Sequence, residues 1–506
     1  MRALRAIAML TLLAGAAGAR AAETFDVGLS AGGAVIGASM VAARDAAAPT
    51  VLVVGGLGGG DDSAAAVARE LAAFEARGVR RRALNVIAIP LANPDGVALE
   101  FPPTGRAYRE HAESYVLWRF IGTHAPDLVL VVGADRAGLG AALAAQAPAG
   151  MGLVPSRAWR PGESLAALRA TDVPASAASR ELARRLERTP RELATELAGI
   201  YGHSFDQPTY INAIALVGRI KLGEVDAVRA LVAPYVDSGV DGAKDSLERP
   251  SSLTMAGHIV FTELARRTGD ARYVAMVRKV AELGFDERGA MRESMPYHNE
   301  FSDSVFMGTT PAAQAGALTG ERKYFDLAAR HLAFMQRLDL RADGLYRHQT
   351  ATDAAWGRGN AFAAIGLALS LGEFPADHPA RGELLASYRQ HMAALLRYQN
   401  RDGLWRNVVD VPGAYAEYSA TAMIGFAMLR GVNSGWFEDA APYRAAVEHA
   451  WRAVNARTGS DGTVIDVCES TARIESLAGY LQREALLGRD DRGGAMALLF
   501  ATELMD

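Results

Sequence analysis

The sequence predicts a multidomain chain: an α/β domain followed by an all-α (α/α)6 barrel. Short β-branched runs alternate with alanine-rich helical stretches as far as about Gly152. Such runs nearly vanish after about Asp206, and from there helical segments recur in pairs with repeated connectors. At 506 residues the chain exceeds one ordinary core, since a domain takes roughly 150 residues. Half of the residues are apolar, enough for sizeable cores, and the net charge of -4 argues against a nucleic-acid partner.

The first element is a leader. Arg2 and Arg5 precede the apolar run 6–17, and Ala19, Arg20 and Ala21 bring small residues to the spacing of a signal-peptidase site. The expectation is an exported protein, periplasmic or secreted, with residues 1–21 removed. No later stretch offers the roughly twenty uncharged apolar residues of a membrane span. Cys468 is the only cysteine, which excludes an intrachain disulfide and a thiolate zinc cluster and reads as a small buried thiol.

Three strands are written in the α/β part: Thr50-Val51-Leu52-Val53-Val54, Leu84-Asn85-Val86-Ile87-Ala88-Ile89 and Asp127-Leu128-Val129-Leu130-Val131-Val132. Alternation with helical stretches such as 63–77 predicts a largely parallel sheet. Gly55-Gly56-Leu57-Gly58-Gly59-Gly60-Asp61 follows the first strand and Asn93-Pro94-Asp95-Gly96 the second. Together they resemble the zinc carboxypeptidase family, whose first segment carries a His-x-x-Glu pair of zinc ligands. Here Gly58 and Asp61 stand at those positions, and the third ligand, a histidine, is missing near Gly133-Ala134-Asp135. A catalytic zinc needs three protein ligands, so the resemblance implies a degenerate carboxypeptidase-like domain, residues 22–157, without metal or peptidase activity. The stretch 158–205, with Pro161, Gly162, Pro174 and a charged run at 179–188, reads as a linker.

The second part repeats. Thr268-Gly269-Asp270 recurs as Thr319-Gly320-Glu321, each glycine closing one helix before an acidic residue opens the next. Asp343-Gly344-Leu345-Tyr346, Asp402-Gly403-Leu404-Trp405 and Asp461-Gly462-Thr463-Val464 each turn into a short extended segment. First helices begin near Thr209, Ser252, Asp303, Gly357, Glu417 and Ala472, and their partners near Glu224, Ala271, Arg322, Ala380, Ala440 and Arg492. Residues 357–369 and 419–429 are apolar or small all round, as in helices buried on both sides, whereas 325–337 is striped. First helices are therefore inner and second helices outer, and six hairpins over 206–506 close an (α/α)6 barrel. Inner helices that all begin a repeat point the same way, so Ser252, Asp303, Arg358 and Glu417 converge on one rim. Helix amide ends there favour a carboxylated ligand.

The segments Asp303-Ser304-Val305-Phe306-Met307-Gly308, Trp356-Gly357-Arg358-Gly359-Asn360, Gly403-Leu404-Trp405 and Glu417-Tyr418-Ser419-Ala420-Thr421-Ala422-Met423 resemble the unsaturated uronyl hydrolases of glycoside hydrolase families 88 and 105. The resemblance implies release of a terminal 4,5-unsaturated uronic acid from oligosaccharides left by polysaccharide lyases, of rhamnogalacturonan or pectin type or related, by hydration of a vinyl ether and without a cofactor. It implies Asp303 as the proton donor, which must hold its proton near working pH although a helix start favours the anion. Aspartate is also a favoured helix cap. The resemblance further assigns substrate contacts to His348, to Trp356 as a flat face for a sugar, and to Arg358 as a fork for the uronate carboxylate. Trp405, Glu417 and Ser419 are weaker candidates, with core packing or capping as the plainer roles. A second aspartate usual in the family is absent, and Glu248, in Glu248-Arg249-Pro250-Ser251-Ser252, stands near its place; His298-Asn299-Glu300 is a further stand-in. That departure leaves a catalytically silent glycan-binding protein as the alternative.

Overall fold

The computed structural model describes residues 22–505 apart from Asp61, 160–162, 238–242 and His298. The leader-like run 1–21, Asp61, Pro161, Gly162 and His298, all singled out above, lie outside the described residues. No helix among the described residues is long and apolar enough to cross a membrane.

The N-terminal layer is one six-stranded mixed sheet. An antiparallel hairpin, β1 (Glu23–Leu29) and β2 (Val35–Val41), forms one edge, and β2 runs antiparallel to β4 (Asn85–Ile89). From β4 the sheet continues in parallel through β3 (Thr50–Val54), β5 (Leu128–Val132) and β6 (Ser156–Trp159), in the order β1-β2-β4-β3-β5-β6. The central runs are continuous in β-branched residues because both faces are covered. Val51, Val53, Val86 and Ala88 pack with α1 (Asp62–Ala76), while Leu52, Val54, Ile87 and Ile89 face α2 (Ala112–His124) and α3 (Leu139–Ala145).

The expected linker is corrected by the structure. Residues 156–159 are a sheet strand, and α4 (Ala177–Glu187) and α5 (Pro190–Ala198) dock on the barrel. Between them Arg188 donates to the carbonyls of Asn455 and Thr458, both at 2.6 Å. A Thr189–Glu192 capping box with Pro190 in the first turn starts α5, and Leu193, Ala194 and Leu197 are wholly buried in the barrel core.

Five hairpins follow as expected. They pair α6 (Tyr210–Lys221) with α7 (Val225–Val236), then α8 (Ser252–Gly257) and α9 (Ile259–Thr268) with α10 (Ala271–Ala281), then α11 (Ser304–Met307) and α12 (Thr309–Thr319) with α13 (Arg322–Asp339). The last two pair α14 (Gly357–Glu373) with α15 (Arg381–Leu396) and α16 (Tyr418–Asn433) with α17 (Ala441–Ala456). Inner helices approach closely: a Cβ on Gly366 would stand 2.4 Å from the Val305 carbonyl oxygen.

The sixth hairpin differs from the expectation. Ala472 lies in a charged coil, and 464–488 forms a β-ribbon, β9 (Val464–Cys468) with β10 (Ala485–Gly488), with α18 (Leu477–Leu481) inserted between the strands. Arg492 begins not an outer helix but the buried inner helix α19 (Asp491–Glu503), which packs against α16 and α6 and closes the ring. Its outer partner is α5, which precedes the first inner helix in the chain.

The α/β layer is seated where the inner helices begin. Arg106 donates to Glu469 and Glu484, and Asp26 accepts from Arg406 and from the Gly413 amide. Ala107 and Tyr115 share an apolar cluster with Trp356, Tyr415, Cys468 and Tyr480.

Candidate functional site

Asp303 stands at the first turn of α11 but does not cap it: its backbone is helical and its side chain accepts no amide of the helix. Oδ2 is buried with no hydrogen-bond partner in the protein, while the side chain as a whole stays 15% exposed. His348 Nε2 lies 3.3 Å from that oxygen, within ion-pair range and outside hydrogen-bond geometry. On its other side His348 Nδ1 is 2.7 Å from the Tyr480 hydroxyl. The imidazole is held between rings, stacked on Phe301 and met edge-on by Trp356 and Tyr480. Asp303 and His348, far apart in sequence, are thus brought together.

The remaining candidates have other partners, which revises their expected roles. Arg358 is buried, and its guanidinium donates to the carbonyls of Cys468 at 2.8 Å and Glu469 at 3.3 Å and to Ser419 Oγ at 3.3 Å, with Glu417 at 3.9 Å. Glu417 caps α16, accepting from the amides of Ser419 and Ala420 and from Cys468 N of β9. The carboxylate expected from a ligand at that helix end is therefore supplied by the chain itself. Trp356 is buried between His348 and the Arg358 guanidinium, leaving no face for a sugar. Trp405 is core: its Nε1 donates to the Leu395 carbonyl. Glu248 is exposed beside Tyr235. Arg358, Glu417, Ser419 and Trp356 therefore support the rim from beneath.

Three groups that the sequence reading passed over complete the mouth. Arg492, half-buried at the start of α19, lies beside Tyr210 at the start of α6, and Tyr210 also feels the charges of Arg358 and Asp303. Had the all-round apolar character of 493–501 been used to assign α19 as inner, Arg492 would have fallen on the rim. Asp339, the last residue of α13, is wholly buried with neither carboxyl oxygen hydrogen-bonded. Burial pushes it up to about 8, with Arg347 opposing and Asp303 and Glu300 adding to the rise. Beside it, a cavity of about 620 Å³ is lined by Arg341, Asp343, Arg347, Asp353 and Asp410. Tyr480 is the third group.

Comparison with known proteins places residues 207–506 under the model of Glycosyl Hydrolase Family 88. An unsaturated rhamnogalacturonyl hydrolase, YesR, of Bacillus subtilis is 27% identical over 240 residues, 43% of this chain and 67% of that protein. An unsaturated 3S-rhamnoglycuronyl hydrolase of an Alteromonas species is 26% identical over 213 residues, 37% of this chain and half of that one. Among solved structures, a possible member of the GH105 family from Salmonella enterica aligns with a TM-score of 0.52 at 19% identity, covering 63% of this chain and 94% of that one. A glycosyl hydrolase family 88 protein from Bacteroides vulgatus aligns at 0.50 and 17%, covering 62% and 99%. These structures share the barrel fold. The family match begins after the α/β layer, for which the carboxypeptidase resemblance gains no support.

Proposed function

This chain belongs to Glycosyl Hydrolase Family 88 and is a glycoside hydrolase, and from that premise we propose that it releases a terminal 4,5-unsaturated uronic acid from lyase-generated oligosaccharides. The observation that carries the reading is Asp303: a carboxyl at a helix start that caps nothing, with one oxygen buried and unpartnered beside His348. A buried polar atom without a partner calls for an explanation, and a carboxyl that donates to substrate supplies one. The two similar proteins named above act on substrates of rhamnogalacturonyl and rhamnoglycuronyl type, which supports a rhamnose-linked uronate as the substrate class.

In this reading protonated Asp303 gives its proton to C4 of the vinyl ether, and positive charge develops at C5 beside the ring oxygen. Asp303, now a carboxylate, takes a proton from water as the water's oxygen bonds to C5. The hemiketal at C5 opens the ring and leaves a hemiacetal at C1, which expels the remaining sugar. His348 orients the carboxylate. Arg358 is buried with its guanidinium turned to the Cys468 and Glu469 carbonyls, whereas Arg492 carries no ion pair among the described residues, so in this reading Arg492 is the cation that faces the substrate carboxylate.

The test is incubation of the purified chain with unsaturated disaccharides of pectic, ulvan and glycosaminoglycan origin while following loss of enol-ether ultraviolet absorbance. Turnover of at least one is expected, and none across the set sinks the proposal. Asp303→Asn should lower kcat by at least roughly a hundredfold with the thermal midpoint unchanged.

A further inference from the structure

Tyr480 reaches the site from outside the helical repeat. It sits on α18, in the ribbon that replaces the expected sixth hairpin, and is wholly buried. Its place is fixed on both sides: Asn407 Nδ2 donates to its carbonyl at 2.8 Å, and its ring belongs to the apolar cluster with Tyr115 and Cys468.

Its hydrogen bonds have a direction. Gln349 Nε2 lies 2.7 Å from the Ile474 carbonyl, an acceptor only, so that atom is the amide nitrogen. The same nitrogen donates to the Tyr480 oxygen at 3.3 Å. The phenol, accepting from Gln349, directs its single proton to His348 Nδ1 at 2.7 Å. A neutral imidazole that accepts at Nδ1 carries its proton at Nε2, the nitrogen 3.3 Å from Asp303 Oδ2. Stacking by Phe301 and the edges of Trp356 and Tyr480 keep the ring from turning over.

We infer that Tyr480 is a positioning residue: it holds His348 as the Nε2–H tautomer and so keeps an N–H, rather than a lone pair, on the side of Asp303. This rests on Asp303 being the acid and base of the proposed reaction. The opposite tautomer would set a nitrogen lone pair against the carboxylate formed after proton transfer to C4, just when a donor is needed to keep that carboxylate oriented toward water. The ribbon thereby contributes to the active site through its second layer, and the α/β layer that grips the ribbon at Glu469 and Glu484 contributes with it.

The experiment is nitrogen NMR of the full chain labelled in histidine, with His348→Gln identifying the signal, alongside kinetics of Tyr480→Phe. Wild type should show protonated Nε2 and accepting Nδ1. Tyr480→Phe keeps the ring and its packing but should convert the signal to a tautomer mixture. It should also lower kcat by roughly 10–100-fold, the scale of loss when the partner that orients a metal-bound histidine is removed, with KM within about twofold. A wild-type signal with protonated Nδ1, or a variant whose spectrum and kcat match wild type, overturns the inference. A purely structural tyrosine would lower the thermal midpoint and leave the tautomer alone. Absence of wild-type turnover on every substrate would instead sink the proposed function, and the imidazole spectrum would still decide the tautomer.

Discussion

Asp339 is wholly buried, yet its carboxyl has no hydrogen bond, and burial raises it to about 8 from an ordinary value near 3.8. Between those values the folded chain holds a proton that the unfolded chain releases, so stability falls as pH rises, by up to about 1.4 kcal/mol per pH unit. His258 and His331 act in the opposite sense. Burial lowers each to about 4 from 6.5, so the unfolded chain takes protons that the folded one refuses, and stability rises with pH across that range. His391, also lowered by burial, acts with them, so three histidines oppose one carboxyl below about pH 6.5, and Asp339 prevails above it as the unfolded histidines lose their protons. Stability should therefore climb to about pH 6.5 and decline toward 8. Asp339→Asn should abolish the decline and leave the climb. Denaturant midpoints of both proteins across pH 6.5–8 decide it, and an equal decline in both would show that Asp339 is not the group responsible.

At the scale of elements, α5 explains how the ring closes. Its Leu197, wholly buried in the barrel core, packs where a sixth outer helix is needed. Leu197→Ala should therefore lower stability by about 2–5 kcal/mol, the range for a large core residue truncated to alanine. A denaturation measurement showing under about 0.5 kcal/mol would return 190–198 to the status of a connector. The elements legible in the sequence are those with local signals. The β3, β4 and β5 runs are β-branched because they are buried on both faces, and α14 and α16 are apolar all round because they line the ring. The β1–β2 hairpin was not legible, since its edge position leaves much of it exposed and dilutes the apolar alternation. The pairing of α5 with α19 joins residues nearly three hundred positions apart, and no periodicity encodes it. The site divides the same way. Asp303 and His348 are carried by motifs, whereas Tyr480 and Arg492 depend on where the 464–488 ribbon and α19 fall. Arg358 and Glu417 were legible as a cluster but not as a buried one, because the β9 backbone that satisfies them lies about fifty residues or more downstream.

At the scale of the whole molecule, the two parts share a buried polar centre. Asp466, in the left-handed region at φ 65, lies 3.1 Å from Arg457 of the barrel, 3.3 Å from the Tyr108 hydroxyl and 3.7 Å from Arg119 of α2. Each part thus supplies one cation to a carboxylate held away from water. Such a pair adds little net stability, yet removing one partner costs about 3–5 kcal/mol because a charge is left buried without its counterion. The sheet layer also covers the cluster of Trp356, Tyr415, Cys468 and Tyr480, so undocking it would expose apolar surface as well as take Arg119 and the Tyr108 hydroxyl from Asp466. The α/β layer and the barrel should therefore unfold in a single calorimetric transition, with calorimetric and van't Hoff enthalpies in agreement. Arg119→Met, which keeps the apolar stem and removes the charge, leaves Asp466 paired with Arg457, so it should lower stability by only about 1 kcal/mol and act on the docking, splitting that transition in two with the α/β layer melting first. Two transitions in the wild-type chain, or a single unshifted one in the variant, would mean that the parts are merely adjacent and that the layer has no hold on the ribbon carrying Tyr480.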